Sequence, residues 1–562
     1  MPAWPPLRYT RRRASNPRSG VLAARVVAAG QTGRMTSASA PVTFNFADLF
    51  EHLADAAGHR PCLVAEPVRR TYAELDERAT RLANHLGAEG VGPGEQVAIH
   101  SANRIEWVEA LLACFKLRAI PINVNYRYVE AEARYLYENA DCVAAVVEPE
   151  HLPLVQVLQR TLPRLGPVLP FGDTYEVALA AASPERAFEP RSGDDVYVVY
   201  TGGTTGMPKG VMWRHEDAFF ATASGGRPGG LPINRPEEIV DGATGPQMVY
   251  MATTPLMHGG AQWLMFNSLF SGGLCVVSTL RSFDGPAVLE TVALERVNAL
   301  ALIGDAMGRP LAEAARDSDL DLSCLVSIGN GGAPLTATVK AELMAALPQV
   351  FVTDTFGASE TGASGSAAGT DGGPARFSPH PDVTVLDDAL SPIPPGSEQV
   401  GRLARTGHIP LGYHGDPEKT AATFPTDADG RRWVVPGDFA TMEPDGTIVL
   451  LGRGSVCINS AGEKIFPEEV EAALRAHPDV YDAVVVGLPD PRWGERCTAL
   501  VQARPDRSVD DDTLVAHCRT LVAGYKVPKT IFHVDEVAHT TVGKPDYVAA
   551  KTTAAALAER AR

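Results

Sequence analysis

From Phe46 onward, the apolar residues of the chain alternate between helical and strand periods. Residues 71–86 and 105–117 carry apolar side chains three and four positions apart, which predicts two helices with one buried face each. Thr71 and Glu74 have the spacing of a capping box, so we expect the first of these helices to begin there. Short apolar runs predict strands at 96–100, 120–123, 196–200, 273–277 and 325–329.

This order of strands and helices predicts an α/β fold in which parallel-rich sheets are layered with helices. The glycines within 452–454 mark the clearest boundary, and the pattern beyond them predicts a helix at 467–476 and a strand at 482–488. The helix begins with proline and has acids in its first turn, as helix N-termini prefer. Residues 361–375 are dense in glycine, alanine, serine and threonine, so we expect a loop there.

The composition is that of an ordinary globular protein, with 45% hydrophobic and 21% charged residues among 562. That length favours at least two domains. The net charge of −17 argues against nucleic acid or an anionic membrane as a partner, although a local basic site for an anionic ligand is compatible with it. The eight cysteines are scattered without a Cys-x-x-Cys pair, which fits the reducing cytoplasm. No apolar run reaches the about 20 residues that span a bilayer.

The first 47 residues hold seven arginines and neither aspartate nor glutamate. One interpretation is an arginine-rich targeting segment. The other, which we favour, is that translation begins at Met35 and that the preceding stretch is an upstream extension. On either interpretation we expect residues 1–44 to lie outside the folded domains, with disorder up to about residue 40.

The segment 201–210 follows the apolar run 196–200 and contains four glycines, three threonines, one proline and one lysine. Glycines let backbone amides surround an anion, threonine hydroxyls add donors, and Lys209 adds positive charge. We therefore expect a loop that holds the β- and γ-phosphates of a nucleotide. It is not a Walker A loop, because Gly206 precedes Met-Pro and Lys209 precedes a glycine. A plain glycine turn would explain the glycines but not the whole segment.

This segment resembles the phosphate-binding loop of the adenylate-forming superfamily, which includes acyl-CoA synthetases, luciferases and nonribosomal-peptide adenylation domains. The resemblance extends from about Phe46 to Tyr547. It implies an AMP-binding N-terminal domain at 45–452 and a small, mobile α+β C-terminal lid domain at 453–555. It also implies ATP, Mg²⁺ and the co-substrate coenzyme A. The residues that would hold the phosphates, with Thr205 also catalytic, are Thr201, Gly202, Gly203, Thr204, Thr205, Gly206 and Lys209.

Three further segments resemble the nucleotide site of that family. Residues 331–333 resemble the Gly-Gly-Ala backbone that lies against adenine, and 354–362 resembles the motif [DN]-x-Y-G-x-[ST]-E-[ST]-G, with Phe356 in place of tyrosine. Residues 433–438 resemble a strand that ends in Gly-Asp. The match implies that Asp354 accepts from the adenine amino group, that Phe356 stacks on adenine and that the metal ligand is Glu360. It also implies that Thr361 reaches the α-phosphate, that Asp438 binds the ribose hydroxyls and that Arg453 contacts ribose or phosphate. The other expected nucleotide contacts are Gly331, Gly332, Ala333 and Gly357.

The C-terminal segments resemble the moving parts of the family. Ser455 would be the hinge, although Lys or Asp is usual there and Asp is usual where Val456 stands. Residues 540–545 resemble the signature [ST]-x-[ST]-G-K, which makes Lys544 the expected catalytic lysine of adenylation. The residues that would face the path of the CoA pantetheine are Ser460, Gly462 and Lys464.

Residues 252–260 match the segment that lines the acyl pocket of the family, through His258 and Gly259. We expect His258 to be a wall or gate rather than a base, because the attacking carboxylate needs no deprotonation. The segment 252–270 lacks the aspartate that pairs with the ammonium of an α-amino acid. Residues 213–217 and the altered hinge look similar to those of bacterial ligases for steroid side chains and related bulky or long-chain acids.

The resemblance thus implies an AMP-forming acid–thiol ligase for a small-molecule carboxylic acid. Three alternatives remain open: an acyl-AMP ligase that delivers to a carrier protein, a luciferase-like oxidation of the adenylate, and a catalytically silent binding protein of the same fold. The presence of Glu360, Asp438, Arg453 and Lys544 argues against the last. The sequence leaves open which acid is used and whether the chain forms a homo-oligomer.

Overall fold

The computed structural model describes residues 42–203, 206–333, 335–368, 376–453, 456–460, 463–490, 494–540 and 544–560. Val42–Arg562 forms one compact unit. The helices are α1 (Phe46–Ala57), α2 (Tyr72–Ala88), α3 (Ile105–Leu117), α4 (Glu130–Asn139), α5 (Leu152–Gln159), α6 (Asp173–Ala181), α7 (His215–Thr222), α8 (Gly259–Phe270), α9 (Gly285–Glu295), α10 (Gly304–Arg316), α11 (Ala337–Ala346), α12 (Pro417–Thr423), α13 (Pro467–Arg475), α14 (Asp511–Leu521) and α15 (Tyr547–Arg560). Short 3₁₀ helices lie at Pro149–His151, Ser224–Gly226 and Pro236–Ala243.

The strands belong to four sheets. They are β1 (Pro61–Ala65), β2 (Val68–Thr71), β3 (Gln96–His100), β4 (Ile120–Asn123), β5 (Cys142–Val147), β6 (Val168–Pro170), β7 (Val196–Gly203), β8 (Gly206–Arg214), β9 (Val249–Ala252), β10 (Leu274–Val277), β11 (Ala299–Leu302), β12 (Ser327–Gly331), β13 (Phe351–Ala358), β14 (Gly362–Ala368), β15 (Arg376–Pro379), β16 (Val383–Leu386), β17 (Gly401–Arg405), β18 (Gly412–Tyr413), β19 (Asp438–Met442), β20 (Ile448–Arg453), β21 (Ile458–Ser460), β22 (Glu463–Ile465), β23 (Val480–Asp490), β24 (Gly494–Ala503) and β25 (Thr530–His533).

The main sheet, as far as the structure describes it, has 13 strands in the order β16-β17-β19-β20-β15-β14-β13-β12-β11-β9-β10-β1-β2. Its central strands, from β13 to β1, pair in parallel. The strands from β14 to β16 continue it with antiparallel pairs. Parallel neighbours place their carboxyl ends at one edge, where α/β proteins build their sites.

The other sheets are smaller. The second is parallel, in the order β4-β3-β5-β6, and the third is antiparallel, in the order β18-β8-β7. The C-terminal sheet has the order β22-β21-β24-β23, with β25 parallel to β24. It lies beyond the main sheet in sequence and packs with α13 and α15. The prediction of an α/β fold with parallel-rich sheets and a smaller C-terminal part is confirmed.

The periodic segments fold as predicted. The strand β3 and the helix α3 have the predicted bounds, and α2 begins after Thr71 with the capping box formed in both directions. The predicted strand at 325–329 is displaced and spans Ser327–Gly331. Among the described residues, no helix combines the length and the apolar character that crossing a membrane would need.

An aromatic cluster joins α1 to the base of β7. The Phe46 ring is buried and lies with its centroid 4.7–5.9 Å from four others, those of Phe115, Tyr197, Phe266 and Phe270. The Phe46 amide also donates to His215 Nδ1 at 3.2 Å. Because aromatic pairs in this range add to the energy of burial, the cluster fixes the strand that leads into 201–210.

The predicted loop at 201–210 is wrong in its extent. Strands β7 and β8 form a hairpin, in which Thr201 pairs with Lys209 and Gly203 with Gly206. Thr204 and Thr205 lie outside the described residues. Composition suggested a loop because glycine is rare in strands, but here Gly210 faces the Tyr200 ring, and a Cβ would approach that ring to 2.8 Å.

Two other local predictions also need correction. Residues 362–368, expected in a loop, form β14, while 369–375 lie outside the described residues. Small residues are required there because a Cβ on Gly357 would lie 2.3 Å from Gly362 O and one on Gly365 would lie 2.8 Å from Ser378 O. We expected a strand that ends at Asp438, but in the structure the strand begins there, since Asp438 is the first residue of β19.

Candidate active site

The carboxyl ends of β12 and β13 bring two predicted segments together. Asn330 pairs with Asp354 and Gly331 with Thr355 in parallel register, so residues 331–333 lie beside 354–357. Gly332 has φ +83°, and apart from its two chain neighbours no atom of the described residues lies within 4 Å of where a Cβ would be. A glycine is required there for its backbone conformation, and it leaves open space at the sheet edge.

Asp354 has two donors from the protein itself. Asn330 Nδ2 donates to its Oδ1 at 2.9 Å, and Lys340 Nζ to its Oδ2 at 2.5 Å. The side chain is 20% exposed, against 7% for that of Lys340. The carboxyl group is thus fixed in place at the sheet edge, and it keeps lone pairs for a further donor.

Glu360 lies in the turn between β13 and β14 and accepts from the Tyr413 hydroxyl at its Oε1, at 2.9 Å. The ring of Tyr413 carries Lys209 above it, with Nζ 5.6 Å from the centroid. Lys209 Nζ also lies 3.7 Å from Asp416 Oδ2. One tyrosine therefore connects the expected metal ligand to the expected phosphate lysine.

Thr361 lies in the turn that carries Glu360. Its side chain is buried at 1% exposure, accepts from the Ala358 amide at 3.0 Å and donates to Gly362 O at 3.1 Å. The hydroxyl therefore closes this turn, and its expected contact with the α-phosphate stays a prediction. The guanidinium of Arg405 holds the same turn, because Nη1 donates to Thr361 O and, at 2.8 Å, to Ala363 O. Burial lowers the pKa of Arg405 to about 10, so the group stays charged at neutral pH.

Asp438 and Arg453 are opposite each other across β19 and β20. Asp438 is buried at 8% exposure. The two residues expected at the ribose are therefore neighbours, although 15 positions separate them in sequence.

Asn123 ties the hairpin to the expected acyl segment. It accepts from the Tyr200 amide at 2.7 Å, and its Nδ2 donates to Tyr200 O at 2.8 Å and to Met257 O at 2.6 Å. A Cβ on Gly259 would lie 3.3 Å from Val199 Cγ1. Residues 257–259 thus lie directly against β7.

His258 precedes α8 and is largely buried, and its Nε2 has no hydrogen-bond partner within the described part of the chain. Burial, and then the charges of Arg127 and Lys544, lower the pKa of His258 to about 4. The ring is therefore neutral at pH 7, as a wall or gate requires. The positive charge of Lys544, from the C-terminal part of the chain, is thus among the charges that disfavour protonation of His258.

The C-terminal loop residues are partly described. Ser460 is buried in β21 and pairs with Glu463 and Gly494. Gly462 and the hinge Ser455 lie outside the described residues, and Lys464 is placed by its backbone in β22. Thr201 and Lys209 face each other across the hairpin, as reported above.

Several residues that shape the site escaped the sequence analysis. They are Asn123, Asn330, Lys340, Arg405 and Tyr413. Only Tyr413 lay next to a visible signal, since it follows Gly412 in a glycine-bounded turn. The others are single polar residues in apolar surroundings, which the sequence does not distinguish from ordinary buried amides and ions.

The carboxyl edge of β12 and β13 thus carries a fixed carboxylate, Asp354, and a glutamate that Tyr413 orients, Glu360, as the motifs of the adenylate-forming superfamily imply. The chain belongs to the AMP-binding enzyme family, whose profile matches residues 50–413, and the C-terminal domain of that family matches residues 469–544.

Known proteins resemble the chain over most of its length. It is 44% identical over 539 residues to 3-oxocholest-4-en-26-oate–CoA ligase of Rhodococcus rhodochrous, covering 91% of this chain and 96% of the relative. A medium/long-chain-fatty-acid–CoA/3-oxocholest-4-en-26-oate–CoA ligase of Mycobacterium marinum is 43% identical with the same coverage. Among solved structures, ATP-bound MatB from Rhodopseudomonas palustris superposes with a TM-score of 0.78 at 25% identity, covering 90% of this chain and 98% of that one.

Proposed function

We propose that this protein is an ATP-dependent acyl-CoA ligase that couples a carboxylic acid to AMP and then to CoA. The observation that carries the proposal is the parallel register of β12 and β13, which puts residues 331–333 beside Asp354 at one edge of the main sheet. The relatives at 43–44% identity are CoA ligases by name. ATP and CoA are therefore the substrates that accompany the acid.

In the first half-reaction, a carboxylate oxygen of the acid attacks the α-phosphorus of ATP, and pyrophosphate leaves. Both reactants are anions, so catalysis depends on neutralising and orienting them. Lys209 and Lys544 would supply positive charge, and the segment from Thr201 to Gly206 would supply backbone and hydroxyl donors. Asp354 and residues 331–333 would hold adenine, and Asp438 with Arg453 the ribose.

Glu360 fits a Mg²⁺ ligand, because Tyr413 orients its Oε1 and the oxygens of a carboxylate suit a hard cation. When bound, the ion neutralises phosphate oxygens. The residues that orient Glu360 are then Tyr413 by its hydroxyl and Arg405 by fixing the turn that carries it.

In the second half-reaction, the CoA thiol attacks the acyl carbon and AMP leaves. Lys544 and the loop 460–464 both belong to the C-terminal part, so one rotation about Ser455 would withdraw the lysine and admit the loop. We therefore propose domains at 45–452 and 453–555, with the second as a mobile lid. The small hinge residue can absorb the backbone rotation.

We propose a bulky or long-chain acid as the substrate, of the steroid side-chain kind named for the relatives. The expected acyl segment is compatible with this, because α8, which begins after His258, carries the apolar and only partly buried side chains of Trp263 and Leu264. Eight free cysteines suit a reducing location, and we propose the cytoplasm.

The test is a panel of acids with purified protein, ATP, Mg²⁺ and CoA, in which acyl-CoA and AMP are measured. The panel contains acetate, an aromatic acid, fatty acids of medium and long chain, and a sterol with a side-chain carboxylate. We expect acyl-CoA to form with the fatty acids and with the sterol acid. Adenylate that accumulates without thioester would indicate transfer to a carrier protein instead, and oxygen uptake would indicate oxidation.

A further inference from the structure

Glu342 bridges two arginines that lie on opposite sides of the boundary between the main and C-terminal sheets. On α11, its Oε2 lies 3.4 Å from Arg309 Nη1 of the neighbouring α10. Its Oε1 lies 3.4 Å from Arg504 Nη1, just after β24 of the C-terminal sheet. Each carboxylate oxygen therefore serves one side of the boundary.

Arg309 makes a second contact across the same boundary. Its guanidinium carbon lies 4.5 Å from the ring centroid of Tyr481, on β23. The arginine side chain is 6% exposed, and Asp305 Oδ2 lies 3.8 Å from its Nη2. A desolvated guanidinium over an aromatic face is held more firmly than an exposed one.

A cavity lined largely by polar residues lies next to these contacts. It has a volume of about 370 Å³ and separates Asp305, Arg309 and Thr336 of the main part from Arg475, Asp482 and His539 of the C-terminal part. The C-terminal side is paired within itself, since His539 lies 3.2 Å and Arg475 3.4 Å from Asp482. A polar interface of this kind permits relative motion, so that individual contacts decide the pose.

We propose that Glu342, Arg309, Arg504 and Tyr481 form a latch that holds the C-terminal part in the pose described above, which serves adenylation. The inference rests on the proposed function, since only a two-step enzyme has to leave that pose. Part-exposed ion pairs stabilise by about 0.2–1 kcal/mol, which shifts a population by up to about fivefold. The latch is therefore strong enough to favour adenylation and weak enough to open in each cycle.

The latch residues are positioning residues, because they connect the main part to the C-terminal part and do not contact the reacting atoms. They also stand far along the chain from the hinge, where Ser455 and Val456 lack the charges that the family usually has. The charged residues that favour one pose are therefore Glu342 and Arg504, and not residues of the hinge.

The test compares Arg504→Gln, Glu342→Gln and the double variant with wild type. Arg507→Gln is the matched control, because its side chain is 67% exposed and contacts Asp479 within the C-terminal part at 3.8 Å. Acid-dependent ATP–pyrophosphate exchange reports adenylation, and acyl-CoA formed from preformed acyl-AMP reports the second half-reaction. We expect each single variant to slow the exchange about threefold, with the thioester step unchanged or faster and the double variant no slower than a single one.

Equal losses in both half-reactions, no loss in either, or single effects that multiply in the double variant would overturn the latch. A second readout does not depend on catalysis. Hydrogen–deuterium exchange over 337–346 and 480–490 should rise in Arg504→Gln and Glu342→Gln but not in Arg507→Gln. If wild type catalyses no acid-dependent exchange, the proposed function fails, whereas unchanged deuterium uptake in the variants refutes the latch alone.

Discussion

Tyr413 donates its hydroxyl to Glu360 Oε1 at 2.9 Å, across 53 positions of sequence. This bond joins the turn after β13 to the end of β18, next to the hairpin that carries Lys209. The expected metal ligand is therefore oriented by a side chain outside its own motif.

Tyr413→Phe keeps the ring beneath Lys209 and removes the hydroxyl donor. Because a hydrogen bond to a charged group contributes about 1.5–3 kcal/mol, we expect acid-dependent pyrophosphate exchange to fall about tenfold or more. Mn²⁺ binding in the presence of ATP, followed by electron paramagnetic resonance, should weaken in parallel. Tyr525→Phe, an exposed tyrosine of the C-terminal part, is the control and should behave as wild type. Unaltered Mn²⁺ affinity in Tyr413→Phe would contradict the positioning role.

Lys544→Ala should separate the two half-reactions. Removing one preorganised charge from a transition state lowers the rate about 100-fold to 1000-fold, so pyrophosphate release should fall by that factor. Thioester formation from preformed acyl-AMP should remain near the wild-type rate. Lys551→Ala, which also removes a lysine from the C-terminal part, should affect neither step. Equal loss in both assays would mean that Lys544 does not act in adenylation.

The pair of Lys340 and Asp354 should behave as a coupled unit in stability. Lys340→Met leaves a largely buried carboxylate with Asn330 as its remaining described donor, and we expect the free energy of unfolding to fall by about 3 kcal/mol. Adding Asp354→Asn should recover most of that loss, because the neutral amide needs no counter-ion. Urea unfolding measures both, and losses that simply add would refute the coupling.

The lowered pKa of His258 predicts a pH dependence of stability. The group has a pKa near 6.5 when unfolded and about 4 when folded, so the unfolded chain binds the proton more readily. The contribution of neutral His258 to the free energy of unfolding is fully present above pH 6.5 and is lost as the pH falls toward 4. Between pH 7 and pH 5, the free energy of unfolding of His258→Gln should therefore fall by about 1–2 kcal/mol less than that of wild type. Identical losses in both proteins, measured by urea unfolding, would show that the imidazole is not held neutral.

The elements that sequence predicted best are those with a strong local period. Strand β3 and helix α3 match in both bounds, because the apolar period and the flanking turns are local properties. The glycine-rich stretches failed at 201–210 and 362–368. There the small residues serve close approach between strands, which only the tertiary pairing reveals.

The candidate site was predicted in its motifs but not in its supports. The sequence placed Asp438 and Arg453 in one function, and the register of β19 and β20 puts them opposite each other. It gave no sign of Lys340 or Asn330, because the partners of such residues are set by strand order and not by spacing. It also gave no sign that the Thr361 hydroxyl bonds within its own turn.

Activation of a carboxylic acid as an acyl-adenylate can be measured before any thioester forms. The assay is isotope exchange between pyrophosphate and ATP by the purified protein, with a long-chain or sterol side-chain acid and without CoA. We expect exchange that requires the acid, with AMP and acyl-CoA formed in equal amounts once CoA is added. Exchange that no acid stimulates, or turnover that yields ADP and phosphate instead of AMP, would contradict it.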